Sequence, residues 1–295
     1  MELKSENYRK MNEYLLKSGI KILKGTNITR FKVVNEIYNQ VISSSMPNKV
    51  QIQGRTMYLD KNDHKISLSI ALNGIWDETI TKLIKNFVKR GDITLDIGAH
   101  IGYYTLLLAN IVENGKVIAF EPDPRNFSFL KKNCEANGYS NVSLVNKAVF
   151  KETKKLRLFL HEEDGSGHSL FIPNKENNES IIVDSVKLDD FKGINKLNFI
   201  KLDAEGSEYW ILKGAYETLK NNPDLIIITE YSPLGLRKSG VKPDNYIKEL
   251  QKLDFKLYDI NEISGTINPI SKKMDYFTNL LCLKGKYQNN FENMI

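Results

Sequence analysis

The chain has two cysteines, two tryptophans, four histidines and eight prolines among 295 residues. Cys134 and Cys282 lie far apart, with no C-x-x-C pair, which excludes a disulfide framework or cysteine zinc site and points to a reducing cytoplasm. No apolar run reaches the ~20 residues needed to span a bilayer. The charged N-terminus lacks the apolar segment of a secretory leader, so the expected protein is soluble and cytoplasmic. A pyrophosphate-binding G-x-G-x-x-G turn is missing, and no Walker lysine follows any glycine turn. Both absences argue against a nicotinamide dehydrogenase and a P-loop nucleotidase. What remains is ordinary globular material, 41% hydrophobic and 26% charged, with net charge +6. That balance favours acidic partners without choosing among nucleic acid, a phosphate-bearing substrate and peripheral contact with an anionic membrane.

Residues 95–121 carry the most information. An apolar run, Ile93 to Ile97, reads as a buried parallel strand bearing Asp96 near its end. It opens onto a turn with Gly98 and Gly102, followed by a helix through Leu106, Leu107, Leu108 and Ala109. A second strand, Lys116 to Phe120, ends in Glu121, about 20 residues past the turn, where an open α/β sheet puts a carboxylate on a ribose diol. The wide D-x-G-x-x-x-G turn suits a nucleoside without a bridging phosphate. S-adenosylmethionine (SAM), with its adenosine, sulfonium and amino-acid tail, meets that description. An ordinary βαβ turn would need small residues too, but would not explain the acid at the second strand tip.

Along the chain, residues 1–45 read as helices, with Tyr14, Leu15, Leu16, Ile20 and Ile22 on one apolar face. After a linker at 43–48, residues 50–73 alternate like strands, through Val50, Ile52, Met57, Leu59, Ile66, Leu68 and Ile70. A helix at 79–89 leads into the first core strand. A Pro124 helix closes at Asn137-Gly138, and a third strand is expected over Val142–Val149. Further strands follow at 199–202, 225–229, 255–260 and 277–283, with helices from Ser207 and Asp244. This βα alternation predicts an α/β fold: a mostly parallel seven-stranded sheet with an antiparallel C-terminal hairpin, preceded by a helical and β extension. The boundary falls between an extension at 1–72 and a main domain at 73–295.

Ligands of such sheets bind beyond the carboxyl ends of the strands. The cofactor-binding candidates are therefore Asp96, Gly98, Ala99, His100 and Gly102 from strand one, Glu121 and Pro122 from strand two, and Asn146 and Ala148 for the adenine edge. Glu121 should accept both ribose hydroxyls. Asp96 should face the amino-acid end or order the glycine turn, and capping of the next helix is its bland alternative. Strand four offers Asp203 and Glu205, and strand five Glu230. Asp203, which also belongs to the cofactor-binding set, would border the transferred methyl and orient or deprotonate an acceptor hydroxyl, with Glu205 beside it. Helix capping is the competing reading for Glu205 and Glu208. Asp203, Glu205 and Glu230 offer a second alternative, ligation of Mg²⁺, although the preferred reading assigns no metal. His168, in a Gly-Ser-Gly-His-Ser stretch, is the best histidine for a general base. Its alternative is an exposed loop residue without a role, and His100 reads as a packing residue.

The blocks Gly74-Ile75-Trp76-Asp77-Glu78, Asp96 to Thr105, Glu121-Pro122-Asp123-Pro124 and Lys201 to Glu208, with Leu212-Lys213-Gly214-Ala215 behind the last, carry a family resemblance. From about 72 to 231 the chain resembles the FkbM family of SAM-dependent methyltransferases. The resemblance implies a Rossmann-like core, SAM as cofactor, and methyl transfer to oxygen, commonly on sugars or polyketide-type metabolites. On that likeness Glu78 joins the cofactor-binding set. The leading expectation is a methyltransferase acting on a sugar hydroxyl in a glycan or glycolipid intermediate. An RNA methyltransferase, a methyltransferase of a small secondary metabolite and a non-catalytic SAM-fold binder are the alternatives.

Overall fold

A computed structural model describes residues 43–160, 167–171, 179–194, 196–270 and 274–289; the helices expected over 1–42 fall outside them. The chain divides into two compact units, the first ending at Trp76. In the first unit, β1 (Lys49–Ile52) and β2 (Arg55–Tyr58) form an antiparallel hairpin. The stretch that alternates like a strand, Ile66–Asn73, is instead a helix, α1. The Asp63 carboxylate accepts the backbone N–H groups of Lys65, Ile66 and Ser67 at 3.0, 2.9 and 2.7 Å. Satisfying the orphan donors of a first turn fixes a helix start, and this outweighs a two-residue apolar spacing.

The second unit holds an eight-stranded sheet in the order β5-β4-β3-β9-β10-β13-β11-β12. Its strands are β3 (Ile93–Ile97), β4 (Lys116–Phe120), β5 (Val142–Val145), β9 (Phe199–Leu202), β10 (Ile226–Tyr231), β11 (Lys256–Asn261), β12 (Thr266–Pro269) and β13 (Thr278–Leu283). Strands β5, β4, β3, β9 and β10 are parallel, whereas β13 runs antiparallel between β10 and β11. The expected mostly parallel sheet with an antiparallel end is present, with one more strand than expected, the short edge strand β12. From β3 the chain winds outward to β4 and β5 and then returns to β9, so the order reverses between β3 and β9. In open α/β sheets that reversal opens a crevice beyond the carboxyl ends.

Helix α2 (Glu78–Phe87) buries Ile80, Leu83, Ile84 and Phe87, and the Asp77 carboxylate accepts the Ile80 N–H at 2.9 Å. Helix α3 (Tyr103–Val112) packs on β3 and β4, followed by α4 (Pro124–Ala136). Leu95, Ile97, Ile200, Leu202 and Ile227 share one core with Ile211, Leu212, Tyr246 and Leu250. These four come from α5 (Glu208–Gly214) and α8 (Pro243–Lys252), between which lie α6 (Tyr216–Lys220) and α7 (Pro233–Lys238). Side chains alternate across a strand, so Asp96 and Lys201, paired in register, stand on the opposite face.

Strand three stops at Val145 rather than Val149. A backbone bond from Lys147 N–H to Val145 C=O, 2.9 Å, turns the chain away. β6 (Ala148–Val149) then joins a separate small sheet with β7 (Lys155–Phe159) and β8 (Ser180–Val186). Among the described residues no helix is long and apolar enough to cross a membrane.

Candidate active site

The glycine turn and the strand-four tip touch. The Gly98 and Ala99 N–H groups both donate to Phe120 C=O at 3.0 Å, and Gly98 holds φ +81°. A Cβ there would lie 1.7 Å from the Asp203 carbonyl oxygen. Only glycine allows this approach, so Gly98 welds the two turns at the reversal point. Gly102, at φ +96°, lets α3 start against Leu130. His100 also takes a positive φ, +52°.

Glu121 is 5% exposed. Its Oε2 accepts the His100 N–H at 2.8 Å and its Oε1 the Asp123 N–H at 2.9 Å. Burial outweighs these amides and pushes the carboxyl up to about 8. The Asn146 amide donates to the carbonyls of Glu121 (2.8 Å) and Pro122 (3.1 Å), so Asn146 shapes this strand tip from behind. Both ring nitrogens of His100 are buried without a partner. Buried polar atoms left without a partner next to the glycine turn are where a ligand could supply the missing hydrogen bonds. This donor and acceptor set fits the ribose end of SAM.

Asp96 is buried, and its Oδ2 accepts the Thr105 hydroxyl at 2.5 Å. It therefore ties β3 to α3, the turn-ordering role, while Gly102 is the N-cap of α3. Burial pushes Asp96 up to about 6. Lys201, wholly buried, donates to Asp203 Oδ2 at 3.0 Å and lies 5.2 Å from the Tyr104 ring centroid. Burial alone would lower its pKa; Asp203 and then Asp96 instead hold it above the ordinary lysine value.

Asp203, Glu205 and Glu230 each bring a carboxylate oxygen within 4.8 Å of the others. Glu230 is driven well above the usual carboxylate range by burial and then by Asp203. Glu208 braces the turn from below: its Oε1 accepts the N–H groups of Ala204 (2.8 Å) and Gly206 (3.3 Å), and burial pushes it up to about 8. The helix-start reading holds for Glu208.

His168 is not an exposed loop residue. Its Nε2 lies 3.3 Å from Asp123 Oδ2, with the imidazole side chain 16% exposed. Beside it, the Ser169 hydroxyl donates to Glu205 C=O at 2.8 Å, and Gly167 packs against the Glu205 carboxylate. Residues 167–169 thus bridge the tips of strands two and four. Two further candidates have other surroundings. The Glu78 carboxylate sits on the exposed outer turn of α2, paired with Lys82 at 2.7 Å. Ala148 packs with Leu158 and Val183 under the small sheet.

Asp77, Tyr104, Lys201 and Glu262 form a polar cluster near Asp203 that sequence reasoning did not single out. Asp77 is pushed up to about 6 by burial, with Glu262 adding to the rise and Lys201 opposing it. Its signal was adjacency to Glu78 in the block 74–78.

Residues 96–257 match the model of the methyltransferase FkbM domain, more than half of the chain. Methyltransferase 1 of Beauveria bassiana (strain ARSEF 2860) is 26% identical over 141 residues, 41% of this chain and 57% of that protein. The chain thus spans little more than half the length of that relative. Methyltransferase sdnD of Sordaria araneosa is 22% identical over 180 residues, covering 48% and 68%. The Streptococcus mutans protein SMU.1697c, solved with SAH, matches 70% of this chain and 96% of its own at 12% identity and TM-score 0.45.

Proposed function

The chain belongs to the FkbM methyltransferase family, a SAM-dependent class, and on that premise we propose that it methylates a hydroxyl, most simply on a sugar of a glycan or glycolipid intermediate. SAM, when bound, supplies a methyl group on a positively charged sulfur. Every other part of the work falls to side chains of the chain itself. Glu121 and the His100 ring take the ribose end. Asp96 and Gly98 keep the turn in the shape that receives the rest, and residues 73–295 serve as the catalytic domain. Asp203, paired with the Lys201 ammonium at 3.0 Å, orients the acceptor hydroxyl and takes its proton; Glu205 fixes the geometry beside it. His168 anchors the 167–169 bridge through Asp123, a positioning role in place of the general base its sequence context suggested.

One observation carries the acceptor class. The strand-four and strand-five tips present Asp203, Glu205 and Glu230 within 4.8 Å, and the buried Lys201 ammonium meets Asp203. Carboxylates accept hydrogen bonds from neutral polyols and repel phosphates. Leu234 and Phe277 are exposed beyond the same end of the sheet, which suits an acceptor with an apolar portion. The +6 net charge is what favours RNA instead, but the sequence carries no recognisable RNA-binding module beside it.

The test uses SAM labelled in its methyl group, with glycolipid, polysaccharide and RNA fractions offered as acceptors. Label should enter the carbohydrate-bearing fractions. Asp203→Ala should keep SAM affinity within about threefold while methyl transfer falls on the order of 10²-fold or more. Label in RNA alone would overturn the acceptor class, and unchanged turnover would remove Asp203 from the chemistry.

A further inference from the structure

The order of the strands decides what the bridge at residues 167–169 crosses. On one side it rests beyond β9. There the Ser169 hydroxyl donates to Glu205 C=O at 2.8 Å, and Gly167, at φ +84°, comes so near that an added Cβ would lie 3.1 Å from Glu205 Oε1. On the other side it rests beyond β4, where His168 Nε2 meets Asp123 Oδ2 at 3.3 Å. Strand β3 lies between β4 and β9, hydrogen-bonded to both. A segment joining the two outer tips therefore passes across the middle one, where the glycine turn begins.

The two ends are not held alike. Ser169 exchanges two backbone hydrogen bonds with Phe159 on β7, at 2.9 and 3.1 Å, and its hydroxyl also accepts the Phe171 N–H at 3.2 Å. That end is fixed to the small sheet. The other end is made by the His168 side chain against a carboxylate that the fold holds still. Asp123 Oδ1 accepts the Arg125 and Asn126 N–H groups at 2.6 and 3.1 Å, at the start of α4. Its own N–H donates to Glu121 Oε1 at 2.9 Å, the carboxylate assigned to the ribose. A contact made by one side chain can break without disturbing a backbone ladder, so His168 is the end that lets go.

We propose that residues 167–169 are a clasp over the cofactor site, anchored at Ser169 and closed by His168 on Asp123, and that SAM enters and SAH leaves with that contact open. The proposal rests on the methyltransferase reading for the ligand it retains. His168 is a positioning residue here: it touches no reacting atom. Its work is to keep the cofactor in place while the acceptor hydroxyl is aligned.

SAM labelled in its methyl group is bound to the full chain, and its release is followed after addition of excess unlabelled SAM. Association is measured by rapid mixing over a range of SAM concentrations. His168→Ala should speed release at least about tenfold and leave association as fast as in wild type or faster, because a clasp slows both directions. His168→Gln, which keeps an N–H donor for Asp123, should restore part of the slow release. Asp123→Asn keeps the cap of α4 through its Oδ1 and weakens the contact from the other side. It should speed release too, and it reports on the clasp even where His168→Ala disturbs the strap. Release within about twofold of wild type in either His168→Ala or Asp123→Asn, or slowed association in either, overturns the clasp and leaves the methyltransferase reading standing. A wild-type chain that binds no SAM overturns that reading, and the clasp with it.

Discussion

On the proposed reading, Glu121 both binds the ribose and meters SAM affinity by pH. Its carboxyl is raised to about 8 because burial outweighs the two amides it accepts from His100 and Asp123. Ribose hydroxyls donate hydrogen bonds, and they favour the ionised carboxylate. Binding SAM must therefore expel a proton below about pH 8. Affinity should tighten with rising pH, by up to about tenfold per unit, and level off above 8. Calorimetry in two buffers of different ionisation enthalpy would count the released proton. In Glu121→Gln the affinity should fall and its pH dependence flatten. A wild-type affinity that is constant from pH 6.5 to 8.5 would place the ribose elsewhere.

At the scale of elements, the glycine turn after β3 is held from both sides. Gly98 lies against the Asp203 carbonyl, and Asp203 N–H in turn donates to Ile97 C=O at 3.0 Å. Gly98→Ala would put a Cβ 1.7 Å from that oxygen at φ +81°, so one of the two turns must move. Each turn carries residues of the proposed site, so SAM affinity and turnover should fall together, with a stability loss on the order of 2 kcal/mol or more read in a urea titration. Gly138→Ala, at a glycine whose added Cβ meets nothing within 4 Å, is the control for backbone strain alone. Equal losses in the two variants would mean that the contact with Asp203 is unimportant. These elements also mark what the sequence made legible. The strand tips and their acids were readable, because apolar runs ending in Asp96, Glu121 and Asp203 announce both strand and exit. Helix α1 was not, because Ile66, Leu68 and Ile70 imitate a strand while the deciding signal, Asp63 accepting three amides, is a matter of local geometry. The pairing of Lys201 with Asp96 and the approach of Asp77 to Lys201 depend on register between segments about 100 residues apart. No local pattern encodes that.

Across the whole molecule, the buried acids tilt stability with pH in one direction. Asp77 and Asp96 are raised from 3.8 to about 6, and Glu121 and Glu208 from 4.5 to about 8, each mainly by burial. Between the unfolded and folded values of each group, the native state holds a proton that the unfolded chain has released. Stability contributed by these groups is therefore present in full near pH 4 and is lost as pH rises, through about 6 for the two aspartates and about 8 for the two glutamates. The slope reaches about 1.4 kcal/mol per unit for each glutamate in its window. The free energy of unfolding in urea should accordingly fall between pH 6 and pH 8, by roughly 2 kcal/mol for Glu121 alone. Glu121→Gln should reduce that fall without abolishing it, because Glu208 continues to titrate with the same sign. Saturating SAM should reduce it as well, since hydroxyl donors stabilise the ionised Glu121 that high pH produces. Unfolding free energies that rise from pH 6 to pH 8, in wild type and variant alike, would mean that these carboxyls are ionised in the fold, and that the crevice is wetter than its packing implies.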